Sequence, residues 1–406
     1  MSSKTKAAGT KASGKPGLVP KLRFPEFRGA AEWALESGDT VFDQINNRNP
    51  EPGLPVLAIT QEHGAIPRHM IDYHVSVTEK SIESYKVVRV GDFIISLRSF
   101  QGGIEYSRYH GICSPAYVIL RRRGTGSDEY FRHYLKTDRF IRILTKNLEG
   151  LRDGKMISYA QFSELLLPTP GPAEQQEIAD CLSSIDEVIS AQARKVDALR
   201  THKKGLMQEL FPREGETQPR LRFPEFQDDG EWEESTVGAV VQTVTPPRKL
   251  QTSDYKMEGQ FPIVDQSQDH ICGWTDDADV VVGSGLPVII FGDHTCALKF
   301  IDHPFAQGAD GIKILRPRRS IEPRFLFSAL EANPVVQEGY KRHFSVLTEK
   351  RVLFPDPKSG EQQRIASCLI SLDTLIAAET QKLETLKRHK CGLMQQLFPS
   401  VEEDEA

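Results

Sequence analysis

The sequence predicts an α+β protein: two mixed α and β domains separated by two long antiparallel coiled-coil helices, with a pseudo-twofold internal repeat. Three observations predict it. The stretch EQQEIADCLSSIDEVISAQARKVDALRTHKKGLMQELFP at 174–212 recurs without a gap at 361–399 as EQQRIASCLISLDTLIAAETQKLETLKRHKCGLMQQLFP, a shift of 187 residues (174 to 361). The octapeptide PKLRFPEF at 20–27 recurs as PRLRFPEF at 219–226, with Trp33 matched by Trp232. Between each octapeptide and the long stretch that follows it lie short β-branched runs bounded by Gly, Pro and Asp, which read as strands.

The two long stretches carry a four-three apolar spacing, the seam of a supercoiled helix. In the first it falls on Ile178, Leu182, Ile185, Ile189, Val196, Leu199, Leu206 and Leu210; in the second on Ile365, Leu369, Leu372, Ile376, Leu383, Leu386, Leu393 and Leu397. The interruptions match as well, with Gln192 and Lys203 in one copy and Glu379 and Lys390 in the other. A parallel pair would set Lys203 against Lys390. An antiparallel pair brings each lysine toward Asp373 or Asp186 at the far end of its partner, and is favoured on charge. Each helix spans about 54 Å, more than a compact core requires, so the pair reads as rods that set a distance.

In order along the chain, residues 1–19 read as a disordered basic tail, 20–167 as a first domain, 168–212 as the first spacer helix, 213–354 as a second domain, 355–399 as the second spacer helix and 400–406 as an acidic tail. One framework runs through both domains. GDFIISLRSF at 91–100 lies over LPVIIFGDHT at 286–295, and CSPAYVILRRR at 113–123 over GADGIKILRPRR at 308–319. LPVLAIT at 54–60 and ADVVVG at 278–283 read as further strands; DEYFRHYLKTDRFIRIL from 128 and EPRFLFSALEANPVVQEGY from 322 read as helices. Elsewhere the two domains differ almost everywhere.

Composition excludes several classes. The 406 residues are 39% hydrophobic and 26% charged, enough for two or three packed domains. No run approaches 18 apolar residues, so neither a membrane span nor a secretory signal is expected. The six cysteines show no C-x-x-C spacing, which fits reduced thiols in a cytoplasm. A net charge of -5 means that any nucleic-acid surface must be local.

Two domains with one framework and different surfaces, held apart by rods, form a caliper for a long ligand. DNA suits it, because each rod covers about one and a half helical turns of about 34 Å. The readout expected is of two unlike half-sites with an unread gap. Candidate base-reading residues are those that differ where the framework agrees: Arg98, Ser99 and Gln101 in the first domain, Asp293 and His294 in the second. Arginine takes a guanine edge bidentately and aspartate accepts from cytosine; the alternative for Asp293 and His294 is a closed turn. The shared cluster of Arg121, Arg122 and Arg123 with Arg316, Arg318 and Arg319 suits phosphates better than bases; a solvated strand end is its alternative. Arg108, Lys155, Arg248, Lys249 and Lys299 are weaker candidates. His270 with Cys272 and His294 with Cys296 have a spacing that zinc could use, but the spacing is common, and no metal site is assigned.

Catalytic signatures are missing: no Asn/Asp-Pro-Pro-Tyr/Phe tetrapeptide, no Gly-rich nucleotide fingerprint and no P-loop. The order of two variable regions and two near-identical helices, the EQQ-x-I-A-x-C-L opening, the G-L-M-Q-x-L-F-P close and the L-R-F-P-E-F markers resemble the specificity subunit of type I restriction-modification systems. The resemblance implies two target-recognition domains, each reading half of a bipartite, asymmetric double-stranded DNA site. It implies a helical pair that docks two modification subunits carrying adenine methyltransferase activity, and through them restriction subunits. It also implies a chain that is not itself an enzyme and binds no cofactor, with S-adenosylmethionine, ATP and Mg on the partners. The competing class is a non-catalytic coiled-coil scaffold or receptor whose variable domains bind proteins or glycans; the steep salt dependence of phosphate contacts separates the two.

Overall fold

Strands of Val, Ile and Phe pair where their side chains can be buried on both faces, and in each half of the chain such a strand lies at the centre of a four-stranded sheet. The computed structural model describes residues 18–71, 84–146, 157–309, 311–318, 320–339 and 341–399. They form two units of mixed α/β structure: one from the described residues within 1–191 and 383–406, the other from Gln192–Lys382. Among the described residues no helix is long and apolar enough to cross a membrane.

In the first unit the sheet order is Phe42–Ile45, Val118–Arg122, Phe93–Ile95, Glu105–Tyr106, all antiparallel, with Phe93 opposite Leu120. Ala34–Ser37 pairs separately with Leu166–Thr169, just before the first long helix, Pro172–Leu210. Leu57–Thr60 and Gly64–Pro67 make a hairpin, and Lys86–Val88 pairs with Gly111–Cys113. The core gathers Phe42, Phe93, Tyr130, Phe131 and Phe162 with Ile178 and Leu182 of the long helix, Leu397 at the end of the C-terminal one and Phe398 just after it. Trp33 packs edge-on to Tyr130 with ring centres 6.2 Å apart.

The second unit has the sheet Val241–Val244, Ile312–Pro317, Val288–Gly292, Leu298–Ile301, with Ile289 opposite Leu315, and the pair Glu233–Thr236 with Arg351–Phe354. A further sheet, Gly273–Thr275, Phe261–Val264, Phe305–Gln307, Val281–Val282, contains a parallel pair. The ADVVVG run therefore supplies only a two-residue strand, preceded by the 3-10 turn Ala278–Val280. Its core joins Ile289, Phe291, Leu315 and Phe325 to Met207 and Leu210 of the first long helix and Ile365 and Leu369 of the C-terminal helix, Glu361–Leu397.

Two expected helices are cut short, for local reasons. The stretch from Asp128 splits into Asp128–Tyr134 and Asp138–Lys146. Thr137 makes the break: its hydroxyl donates to the Tyr134 carbonyl (2.8 Å) and accepts from the Phe140 amide (3.2 Å), ending one helix and capping the next. The stretch from Glu322 forms Pro323–Ala332 and stops at Asn333, which stands before Pro334 and leaves the helical region at φ -126°, ψ 74°.

The repeated motifs have matching contacts in each unit. Arg23 of the first marker makes a bidentate bond to Glu174 (2.8 Å twice), and Arg222 of the second does the same to Glu361 (2.8 and 2.7 Å). The next residue, Gln175 or Gln362, accepts the backbone amide of Ser127 (3.0 Å) or Glu322 (2.8 Å). Its amide group donates to the carbonyl of Pro170 (2.8 Å) or Pro355 (3.0 Å). The EQQ opening of each helix is thus a docking device for its domain.

Candidate nucleic-acid interface

The buried strand Phe93–Ile95 runs into a tight turn that shapes the first candidate surface. The Ser99 hydroxyl accepts the Ser96 amide (2.9 Å), and the Ser96 hydroxyl accepts the Arg98 amide (3.2 Å). Ser99–Gly102 forms one helical turn, closed by Gly103 at φ 79°, where an added Cβ would meet the Leu135 carbonyl at 2.2 Å. The result is that Arg98 and Gln101 stand exposed while Ser99 is 1% exposed.

The equivalent turn of the second unit is built differently. Asp293 is buried, and its carboxylate accepts the backbone amides of His343 (3.0 Å) and Phe344 (2.9 Å), holding the start of the helix Phe344–Glu349. His294 is half-buried, and its carbonyl accepts from Gln337 (3.0 Å).

The arginine cluster is largely engaged within the protein. Arg121 grips the fully buried carboxylate of Asp92 with two bonds (2.7 and 2.8 Å), which holds its guanidinium above the usual arginine range. Arg122 pairs with Asp128 and donates to the carbonyls of Arg123, Gly124 and Gly126. The more exposed Arg123 pairs with Asp43. Arg316 donates to the carbonyls of Gly285 and Ser284, each at 2.8 Å, and Arg318 is exposed. Arg319 and Lys155 lie outside the described residues.

Of the weaker candidates, Arg108 faces Glu129 (3.3 Å) and Arg248 faces Asp277 (2.6 Å). Lys249 is exposed; Lys299 is buried, donates to the carbonyls of Asp265 and Asp269, and is lowered from the usual lysine range by that burial. Among the described residues no three His, Cys, Asp or Glu side chains converge as metal ligands. Burial instead pushes the Cys272 thiol up to about 11, and its Sγ donates to the Ile263 carbonyl.

Every seam position of the two long helices is buried or half-buried. The interrupting polar residues find partners: Gln192 donates to the Glu379 backbone carbonyl (2.9 Å) and carboxylate (2.7 Å), Lys203 to Asp373 (2.5 Å), and Lys390 to Asp186 (2.5 Å). Sequence reasoning missed three residues that organise the first unit. These are Asp92, the buried carboxylate under Arg121; Lys136, which donates to Glu105 (2.5 Å) and the Gly102 carbonyl (2.9 Å); and Gln61, which lies against the Arg98 turn. None carries a local signal, because each partner is distant in sequence.

No family model matches the chain. It is 23% identical over 419 residues to the type I restriction enzyme MjaX specificity subunit of Methanocaldococcus jannaschii, covering 90% of this chain and 93% of that one. It is also 23% identical over 360 residues to the type I restriction enzyme MjaVIII specificity subunit of the same organism, covering 80% and 81%. Among solved structures it is similar to the type I restriction-modification system S subunit from M. genitalium, at 16% identity and a TM-score of 0.56, covering 95% of this chain and all of that one. A chain from a structural study of the complex assembly and conformational transition of a type I R-M system aligns at 19% identity with a TM-score of 0.53, covering 91% and 98%. The fold is therefore that of type I S subunits. The curated homologues of this chain are type I restriction enzyme specificity subunits.

Proposed function

We propose that this chain is the DNA sequence-specificity subunit of a type I restriction-modification complex. The observation that carries the reading is similarity to specificity subunits over nine-tenths of the chain. Residues 20–167 and 213–354 are the two target-recognition domains, each reading one half of a bipartite, asymmetric double-stranded DNA site. The helices within 168–212 and 355–399 are an antiparallel coiled coil, a reading supported by the bonds from Lys203 to Asp373 and from Lys390 to Asp186. The pair docks two adenine methyltransferase subunits and, through them, restriction subunits. The matched contacts of Arg23 and Arg222 support an internal repeat that offers one partner two equivalent surfaces.

Arg98 and Gln101 read bases in the first domain and His294 in the second, with Ser99 and Asp293 holding the turns that present them. Arg123 and Arg318, the exposed members of the arginine cluster, face phosphates. Arg121, Arg122 and Arg316 orient the strand ends beside them; Arg319, which lies outside the described residues, is a phosphate contact by its place in the sequence. The chain acts in the cytoplasm and performs no chemistry; S-adenosylmethionine, ATP and Mg belong to its partners.

The test is reconstitution with the modification subunits, followed by sequencing of adenine methylation on genomic DNA. Methylation at a single interrupted motif is expected from the complex and none from this chain alone. Methylation without sequence preference, or by the isolated chain, overturns the reading. With Leu199→Asp and Leu386→Asp introduced together, recruitment of modification subunits is lost.

A further inference from the structure

The turn that carries Arg98 does not stand alone. Opposite it lies the tip of the hairpin formed by Leu57–Thr60 and Gly64–Pro67, where Gln61, Glu62 and His63 are exposed. The tip is locked by Thr60, whose hydroxyl donates to the Gly64 carbonyl (3.1 Å) and accepts the His63 amide (3.0 Å). The Gln61 side chain reaches across to the Arg98 carbonyl (3.4 Å) and lies over Gly102, where an added Cβ would sit 2.7 Å from Gln61 Cδ.

A single cation ties the two segments together. Lys136 Nζ donates to the Gly102 carbonyl at 2.9 Å and to the Gln61 carbonyl at 3.4 Å, and its charge is held by Glu105, whose side chain is 3% exposed. The second unit repeats the arrangement with other residues. Thr295, in the turn after Asp293, donates its hydroxyl to the Gln266 carbonyl at 2.6 Å. An added Cβ at Gly292 would lie 3.3 Å from Gln266 Cβ, and one at Gly311 would lie 2.6 Å from Gln266 Oε1. In each unit, then, a glutamine from a separate loop rests on the turn that follows the central strand, and glycine leaves it room; but Gln61 is exposed, whereas the Gln266 Oε1 is buried.

We propose that Gln61 is a specificity-determining residue, reading a base in the half-site of its own unit, with Lys136 a positioning residue for it. The proposal rests on the reading of the chain as a DNA-specificity subunit. Glutamine presents a donor and an acceptor side by side, the complement of the adenine N7 and N6 edge, and glutamate in its place accepts from cytosine N4. Beside an arginine this makes a composite surface, able to take adjacent purines, from two segments that no local sequence pattern links.

The experiment is methylation of a random-sequence duplex pool by the full chain with its modification subunits and S-adenosylmethionine, comparing the wild type with Gln61→Glu and Lys136→Met. Gln61→Glu is expected to change preference at one base position of one half-site by about 5- to 150-fold, leaving the other half-site unchanged. Lys136→Met is expected to blur that same position and no other, a readout that general loss of stability would not move. An unaltered motif in Gln61→Glu overturns this proposal while leaving DNA reading by the chain intact. A wild-type complex without sequence preference overturns both.

Discussion

Lys203 and Asp373 are 2.5 Å apart, joining a residue near the end of the first long helix to one near the start of the C-terminal helix. Arg324 reaches the other oxygen of Asp373 at 2.9 Å. In the other unit Lys390 and Arg132 share Asp186 in the same way, at 2.5 and 3.2 Å. One carboxylate thus serves two cations, so the members are not equivalent. Asp373→Asn leaves two cations facing each other and is expected to cost about 1–3 kcal/mol. Lys203→Met keeps the aliphatic stem and the Arg324 contact and should cost under about 1 kcal/mol. Urea unfolding of both single variants and the double variant measures the coupling; equal costs would contradict the shared-anion description.

The Arg23 bond to Glu174 is the most buried ion pair of the first unit's marker, with side chains 7% and 4% exposed. Arg23→Ala strands a buried carboxylate at the start of the long helix, at a cost of about 3–5 kcal/mol. Arg222→Ala does the same at Glu361 in the second unit. Hydrogen exchange on each variant should show faster exchange near the affected helix start, at 172–182 or 361–369. Protection unchanged there would mean that the markers do not anchor the helices.

Burial lowers His133 to about 2, with Arg132, Lys390 and Arg108 adding to the effect. An unfolded histidine takes its proton near 6.5. Between those values the unfolded chain binds the extra proton, so stability rises with pH and the penalty vanishes above about 6.5. Below that point the loss approaches about 1.4 kcal/mol per pH unit for the single group. His133→Gln is expected to flatten this acid dependence, read as hydrogen exchange of the helix Asp128–Tyr134 between pH 5 and 7. A slope identical to that of the wild type would show that other groups set it.

The Leu22 amide donates to the Gln396 carbonyl at 3.0 Å, which brings the first marker against the end of the C-terminal helix. Joining Pro399 to Pro20 through a linker the length of 213–218, and reopening the chain between Pro212 and Pro219, should add only small loop-closure terms. The permuted chain is expected to direct methylation to the same motif. A folded permutant that has lost the motif would refute this connectivity.

The sequence by itself determined the two long helices and the recurring strands, because periodicity and β-branched runs are local and each copy corroborates the other. Phe93–Ile95 and Val288–Gly292 fall where the matched frameworks place them. Helix ends were less legible: the break at Thr137 depends on one hydroxyl bonding to Tyr134 and Phe140. Only the tertiary structure decided which polar residues are free to meet a ligand. Arg121 is neighboured in sequence by other arginines, but Asp92 comes from 29 residues away and takes both of its bonds. Ser99 and Asp293 read as base-reading candidates, yet each is buried, its side chain accepting the Ser96 amide in one case and the His343 and Phe344 amides in the other. Gln61 gains its place only because a hairpin tip folds onto a turn 37 residues downstream. Pattern records which side chains prefer burial, but charge pairing and surface adjacency arise between segments that the chain brings together only on folding.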